Sequence, residues 1–333
     1  MAPGSRTSSI SLADGTVLPP APDLSIAIVG RGEPELLAGC LDSIEPGTGG
    51  LSVEVTYVDN GSTDGTPDLV RRRWPWVRVI ENGANLGFAR ANNLALEDAR
   101  GRYYLLINND TRLVPGTQGA LVRWMDEHPE AGAMGCRLVG VDGRVQHSVH
   151  PYPDLATEVT HRGLLSRLLP RRYPSKRNRW DGPADVAAVL GAWLLVRRET
   201  TGVAGLLDDG YFFYLEETDW CYRIRLAGWS VVYHPGFDAI HIGGGSAGRF
   251  PGPSRVELYR SRYRFFRKLY GRPAEIALHV GLVARLAVSI VGLAAANVAT
   301  LGLAPRLRRR LATYGYLFGW HLAGRPEGWG IAR

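Results

Sequence analysis

From residue 24 onward, short apolar runs alternate with stretches whose apolar residues recur at helical spacing. The run at 24–29 suits a buried parallel strand. Residues 35–44 place Leu36, Leu37, Leu41 and Ile44 at helical spacing. A second strand is predicted over 53–58, ending at Asp59, and a helix over 68–73. A third strand follows over 77–80, then a helix rich in Ala and Leu over 88–99. A fourth strand over 103–107 ends at Asn108-Asn109-Asp110. Strands alternating with helices imply βαβ units and an α/β fold built on a mostly parallel sheet. Such sheets bind ligands beyond the carboxyl ends of their strands, and Asp59 and Asp110 both sit there.

The pattern is weaker afterwards. Residues 145–183 hold several prolines and the basic run Pro170-Arg171-Arg172-Tyr173, which predicts a long loop beside the site. Residues 186–196 are apolar again, with Gly191-Ala192 in their middle. A helix is predicted over 216–227, closed by Gly228, and a strand over 229–233. From 276 to 304 the chain is almost entirely apolar, interrupted by His279, Arg285, Ser289 and Asn297. Arg262, Arg264, Arg267, Lys268 and Arg272 precede it, and Arg306, Arg308, Arg309 and Arg310 follow it. That length can span a bilayer, but a central arginine costs about 2.5–3.5 kcal/mol on insertion scales. A basic-flanked helix in the membrane interface fits better; helices packed on the rest of the protein are the other reading. The expected organisation is a loose leader over 1–23, an α/β domain over 24–249 and a helical, basic region over 250–333.

Composition changes this picture little. The 333 residues are 45% hydrophobic and 21% charged, as in ordinary globular proteins. Residues 1–22 are rich in Ser, Pro, Ala and Gly, hence the leader. The net charge of +7 points to an anionic partner such as nucleotide phosphates or anionic lipid. No nucleic-acid-binding motif accompanies it, so nucleic acid is not expected. Cys40, Cys136 and Cys221 are odd in number and far apart, which suggests neither a disulfide framework nor a zinc site, and fits reduced thiols in the cytosol. No basic stretch followed by an apolar one opens the chain, so no signal peptide is read.

The candidate chemistry begins at Val58-Asp59-Asn60-Gly61-Ser62-Thr63-Asp64-Gly65-Thr66. A strand ends in an acid, and a turn of small residues leads into a helix. Asp59 can accept from a nucleobase N–H or a ribose hydroxyl, and the small residues let a ligand approach the backbone; a plain Asx-type turn explains the segment equally well. Asn85-Leu86-Gly87-Phe88-Ala89-Arg90-Ala91-Asn92-Asn93 follows, then Leu105-Leu106-Ile107-Asn108-Asn109-Asp110-Thr111. Further on come Gly191-Ala192-Trp193-Leu194-Leu195-Val196-Arg197-Arg198, Phe213-Tyr214-Leu215-Glu216-Glu217-Thr218-Asp219-Trp220-Cys221-Tyr222-Arg223 and His241-Ile242-Gly243-Gly244-Gly245-Ser246. In this order the motifs resemble those of the family-two glycosyltransferases, especially the rhamnosyltransferase-like branch, over about residues 24–246.

The resemblance implies a GT-A fold and an inverting sugar transfer from a nucleotide-diphosphate donor, dTDP-L-rhamnose first among them, to a glycan or polyprenyl-linked acceptor. It implies donor binding by Asp59, Asn60, Ser62, Asn85, Gly87, Arg90, Asn108, Asn109 and Asp110. It implies a divalent cation, Mg2+ or Mn2+, because charge develops on the leaving phosphate and hard oxygen ligands suit those ions. Asp110 matches the last acid of the family's metal motif, and His241 a histidine that completes the site in some relatives; a helix N-cap and a structural histidine are the competing readings. A base must take the acceptor's proton. Glu217 matches the family's catalytic acid, but the pair here is Glu216-Glu217 rather than Glu-Asp, so either glutamate can be the base, or both can be favourable charges at a helix start. Asp219 and Arg223 are four apart and read as a structural ion pair. Two departures stand out. Gly30-Arg31-Gly32 follows the first strand, where Arg31 can stack on a base or lie in solvent, and Asn108 replaces the first acid of the metal motif. A sugar-1-phosphate nucleotidyltransferase and a non-catalytic nucleotide-sugar-binding module are the rival readings.

Overall fold

The computed structural model describes residues 20–160, 162–170, 180–243 and 251–331, together with the short antiparallel pair Ile10–Ser11 and Val17–Leu18. The remainder of the expected leader, the basic run at 171–173 and the Gly244-Gly245-Ser246 end of the last motif lie outside the described residues.

The elements that build the site are, in chain order, β1 (Leu24–Gly30), α1 (Pro34–Asp42), β2 (Val53–Asp59), α2 (Thr66–Arg73), β3 (Val77–Glu81), α3 (Phe88–Leu96), β4 (Tyr103–Asn108), β5 (Thr111–Leu113), α4 (Thr117–Glu127), β6 (Ala131–Val139), α5 (Leu155–Val159), β7 (Ala184–Asp185), β8 (Trp193–Arg197), α6 (Arg198–Ala204), α7 (Glu216–Leu226) and β9 (Ser230–His241). The sheet order is β7-β9-β6-β8-β4-β1-β2-β3, with β5 added on β9. β3, β2, β1 and β4 are mutually parallel, as their alternation with helices requires. β8 then enters antiparallel between β4 and β6, and β9 returns parallel to β6.

Successive strand residues face opposite sides of the sheet, and both sides are covered. Ile26, Ile28, Tyr57, Leu105 and Ile107 pack with Leu37 and Leu41 of α1 and Leu121 and Met125 of α4. Ala27, Val58, Leu106 and Leu194 pack on the other side with Ala91 and Ala95 of α3 and Trp220 and Ile224 of α7. Central parallel strands are therefore apolar on both faces, which is why they read as continuous runs.

Three regions depart from the pattern-based expectation. The apolar run 186–196 is split at Gly191-Ala192 into Ala188–Val189, which pairs with Val149–His150, and β8. β9 continues past residue 233 through a register shift between His234 and Asp238, and so reaches His241. The expected loop at 145–183 contains α5 and a second short helix, Arg162–Leu168. The Asp154 side chain caps α5 by accepting from the Thr157 N–H at 3.0 Å, and Glu158 on that helix pairs with Arg262 at 2.9 Å.

The C-terminal helices extend the second core. Residues 251–299 are two helices, α8 (251–270) and α9 (272–299), broken at Gly271 (φ 83°) just ahead of Pro273. α10 (Pro305–Leu322) packs back on them. Tyr259, Phe265, Phe266, Leu278, Leu282, Leu286, Leu317 and Trp320 are buried in the same cluster as α3 and α7. Arg285 is satisfied within the protein: it donates to the Glu158 carbonyl and, at 3.2 Å, to the Tyr259 hydroxyl.

Candidate active site

β1 and β2 end side by side, with Gly30 opposite Asp59. Asp59 is buried, and its carboxylate organises the turn that follows. Tyr57 OH donates to Oδ1 at 3.0 Å, the Ser62 N–H donates to Oδ2 at 2.9 Å, and the Ser62 hydroxyl donates to Oδ1. Burial first, and the Asp59 charge next, hold the Tyr57 phenol protonated. The Gly32 N–H donates to Ser62 Oγ at 2.7 Å, and Arg31, exposed, donates to the Gly61 carbonyl at 3.3 Å. Arg31 is thus tied to the turn.

Asn60 joins this turn to the next motif. Its amide donates to Asn85 Oδ1 at 2.9 Å, and its own oxygen accepts from the Leu86 N–H at 2.8 Å. Gly87 has φ 81°, and a Cβ there would lie 2.2 Å from the Phe212 carbonyl oxygen, so only glycine fits. That carbonyl accepts from the Phe88 N–H at 2.8 Å. Asn93 adds a second tie, donating to the Leu207 carbonyl at 2.8 Å and accepting from its N–H at 3.1 Å. Both ties hold the segment leading to Glu216 against α3. Arg90 is exposed on the first turn of α3.

Asn108 closes β4, and Asn109, half-buried, lies beside Gly30, where an added Cβ would meet Asn109 Cβ at 3.3 Å. Asp110 is followed by strand β5 rather than a helix, so it is no N-cap. It is buried, and Oδ2 accepts from the Gly243 N–H at 3.2 Å. Oδ1 is buried without a hydrogen-bond partner and faces His241 Nε2 at 3.4 Å. His241 arrives through the extension of β9, and Gln146 fixes its ring. Gln146 Nε2 donates to the His241 carbonyl at 2.7 Å, and Gln146 Oε1 lies 2.6 Å from Nδ1. Nδ1 therefore carries the hydrogen, and Nε2 keeps its lone pair toward Asp110. A carboxylate oxygen without a donor and an imidazole lone pair fit a divalent cation. Among the described residues no group of three His, Cys, Asp or Glu side chains comes together, so Asp110 and His241 are a candidate pair rather than a full ligand set.

Glu216 and Glu217 open α7, after two non-glycine residues at positive φ, Tyr214 (74°) and Leu215 (66°). Such backbone costs on the order of 1–3 kcal/mol per residue and collects at functional sites. Both glutamates are buried. Burial first, and the Glu217 charge second, push the Glu216 carboxyl well above the usual range, and its Oε2 has no hydrogen-bond partner. Burial pushes Glu217 up to about 7, while the backbone N–H groups of Glu217 and Thr218 pull the other way. The helix start thus favours the ionised form of Glu217 over that of Glu216. Asp219, fully buried, pairs with Arg223 at 2.8 Å and also with Lys268 at 2.7 Å.

Gly191-Ala192 connects these corners. A Cβ on Gly191 would lie 3.3 Å from the Phe88 ring and 3.6 Å from Glu217 Cβ. The Ala192 carbonyl accepts from the Asn108 N–H at 3.2 Å and from the Thr111 hydroxyl at 3.0 Å. The starts of α3 and α7 and the end of β4 therefore meet at one strand start. Tyr57, Gln146 and Phe212 took no part in the sequence reading, because each acts through a fold contact that no local pattern announces.

A mixed, largely parallel α/β sheet with helices on both faces and acids beyond its strand ends is the architecture of a GT-A glycosyltransferase. The chain belongs to glycosyl transferase family 2, whose family model matches residues 25–198. It is 33% identical over 228 residues, 64% of this chain and 74% of the relative, to the N-acetylglucosaminyl-diphospho-decaprenol L-rhamnosyltransferase of Mycobacterium tuberculosis. It is 26% identical over 169 residues, 48% of this chain and 62% of the relative, to the rhamnosyltransferase WbbL of Escherichia coli. Among solved structures, a mannosyltransferase of Pyrobaculum calidifontis in complex with GDP-Man and Mn2+ matches with a TM-score of 0.53 at 18% identity, covering 92% of this chain and 87% of its own.

Proposed function

We propose that this glycosyltransferase moves L-rhamnose, with inversion, from dTDP-L-rhamnose to a hydroxyl of a polyprenyl-diphosphate-linked glycan at the cytoplasmic face of a membrane. The names of the two relatives above support the sugar, and the first of them the acceptor class. The observation that carries the mechanism is the difference between two adjacent buried glutamates, of which Glu217 is raised by burial to about 7 against the opposing pull of helix N–H groups. That is the range a general base needs near neutral pH. Glu217 takes the acceptor proton as the hydroxyl attacks the anomeric carbon from the face opposite the leaving diphosphate. Glu216 keeps its proton and adds no second charge.

Asp59, Asn60, Ser62, Asn85 and Gly87 shape the corner for the base and ribose, with Asn108, Asn109 and Asp110 beneath the diphosphate and Arg90 at its rim. Asp110 and His241 would hold a divalent cation, Mg2+ or Mn2+, which supplies positive charge against the leaving diphosphate. The test is a donor screen read by product mass, with a panel of nucleotide sugars against a polyprenyl-diphosphate glycan. Rhamnosyl product from the dTDP donor alone is expected; turnover confined to another donor would overturn the sugar assignment.

A further inference from the structure

α9 buries one side and leaves the other uncovered. Leu278, Leu282 and Leu286 are buried against α8 and α10. Ile276, Val280, Ala284, Val288, Val291, Ala295 and Val298 recur at intervals of three or four residues, and all are exposed. The stripe they form is about 33 Å long at 1.5 Å per residue. Leu301 and Leu303, 85% and 79% exposed, extend it past the helix end. Exposed apolar surface that is continuous over this length is unusual on a protein facing only water.

Positive charge stands at both ends. Arg306, Arg308, Arg309 and Arg310 are exposed at the start of α10. At the other end, two adjoining clefts of about 340 and 350 Å³ share Arg267, Glu275 and Arg325. Arg267 binds Glu275 at 2.6 Å and Arg325 binds it at 3.1 Å, so one carboxylate faces two guanidiniums. Arg272, exposed, lines the second cleft beside Ile276, the first residue of the stripe. The cleft therefore keeps an excess of guanidinium N–H donors where the apolar stripe begins.

We infer that the stripe and the arginine cleft form one docking site for a bilayer containing anionic phospholipid. α9 lies along the membrane plane with its stripe in the acyl boundary, and the cleft holds a lipid phosphate. The packing favours an in-plane helix: Leu278, Leu282, Leu286 and Arg285 hold the first half of α9 against the rest of the protein. This deepens the membrane part of the proposed function, and it is tested without donor or acceptor, so its failure is separable from failure of the sugar assignment.

The experiment is co-sedimentation of the full chain with vesicles of phosphatidylcholine alone or mixed with phosphatidylglycerol. All substituted residues are exposed or line an open cleft, and unchanged far-UV circular dichroism and Tm verify that the variants fold. Wild type should bind the anionic vesicles at least tenfold better than the neutral ones. Val280→Glu/Val288→Glu should lose binding to both by more than tenfold. Arg267→Gln/Arg272→Gln should lose about fivefold per arginine on anionic vesicles and nothing on neutral ones. Anionic binding equal to wild type in the glutamate variant overturns the stripe, and in the arginine variant the cleft. A dimer that the glutamate variant converts to monomer, with no vesicle binding by wild type, makes the occupant a second copy and overturns the membrane. Millimolar inorganic phosphate that displaces wild type from vesicles at constant ionic strength assigns the cleft to a soluble anion instead.

Discussion

Glutamine at position 217 separates the cost of burying the carboxylate from its use. The side chain is buried, and its carboxyl is raised to about 7 from an ordinary 4.5. Below 4.5 both folded and unfolded chains carry the proton, and the site leaves stability unchanged. Between 4.5 and 7 the unfolded chain gives up the proton while the folded chain keeps it, so stability falls as pH rises; above 7 the loss is complete. At 1.36 kcal/mol per pK unit the loss is on the order of 3 kcal/mol. Glu217→Gln removes it, less about 1 kcal/mol for burying the amide. With an unfolding entropy of about 2.1 cal/mol/K per residue over 333 residues, a net 2 kcal/mol moves Tm by roughly 3 °C. Scanning calorimetry should therefore show the variant more stable than wild type at pH 8, with the difference shrinking toward pH 5. Wild-type turnover should rise with pH and level above about 7, and the variant should lose about 10²–10⁴-fold at pH 8 with donor affinity preserved. A Tm difference independent of pH, or a wild-type rate that is flat from about pH 5.5 to 8, would refute the assignment.

Other expectations rest on single contacts. Asp110→Asn should lower donor affinity in manganese but not in chelator; equal affinities in both media for variant and wild type argue against a cation at Asp110. Gln146→Met frees the His241 ring and should weaken manganese binding in the presence of nucleotide by about 10–100-fold, which isothermal titration would read; an unchanged Kd removes Gln146 from the site. Gly87→Ala places a Cβ 2.2 Å from the Phe212 carbonyl and should cost more than about 2 kcal/mol in denaturant unfolding; a smaller loss means the 205–215 segment shifts freely. Lys268→Met leaves buried Asp219 with Arg223 and the Tyr211 hydroxyl and should cost about 2 kcal/mol, against near-zero for the exposed Arg78→Met.

The parallel half of the sheet was legible because its central strands are runs buried on both faces and followed by a polar turn, as at Leu24–Gly30 and Tyr103–Asn108. β6 was not, because Gly132 and Gly135 interrupt its apolar residues. Those glycines are there for packing: a Cβ on Gly135 would meet the Val189 side chain at 2.7 Å, and one on Gly132 would meet Trp229 at 2.6 Å. Arg285 was readable only as a cost in lipid, since its acceptor, the Glu158 carbonyl, is 127 residues away. In the candidate site, local order singled out Asp59, Asp110 and the glutamate pair, while the groups that contact them come from distant segments, such as Gln146 on His241, 95 residues apart. The glutamates show the limit most clearly. Consecutive residues on a helix point about 100° apart, so two identical side chains at its start must meet different surroundings. Two backbone N–H groups act on the Glu217 carboxylate, while Glu216 has one against both burial and the Glu217 charge, and that difference, invisible in Glu216-Glu217 as letters, is what the proposed division into a base and a neutral carboxylic acid rests on.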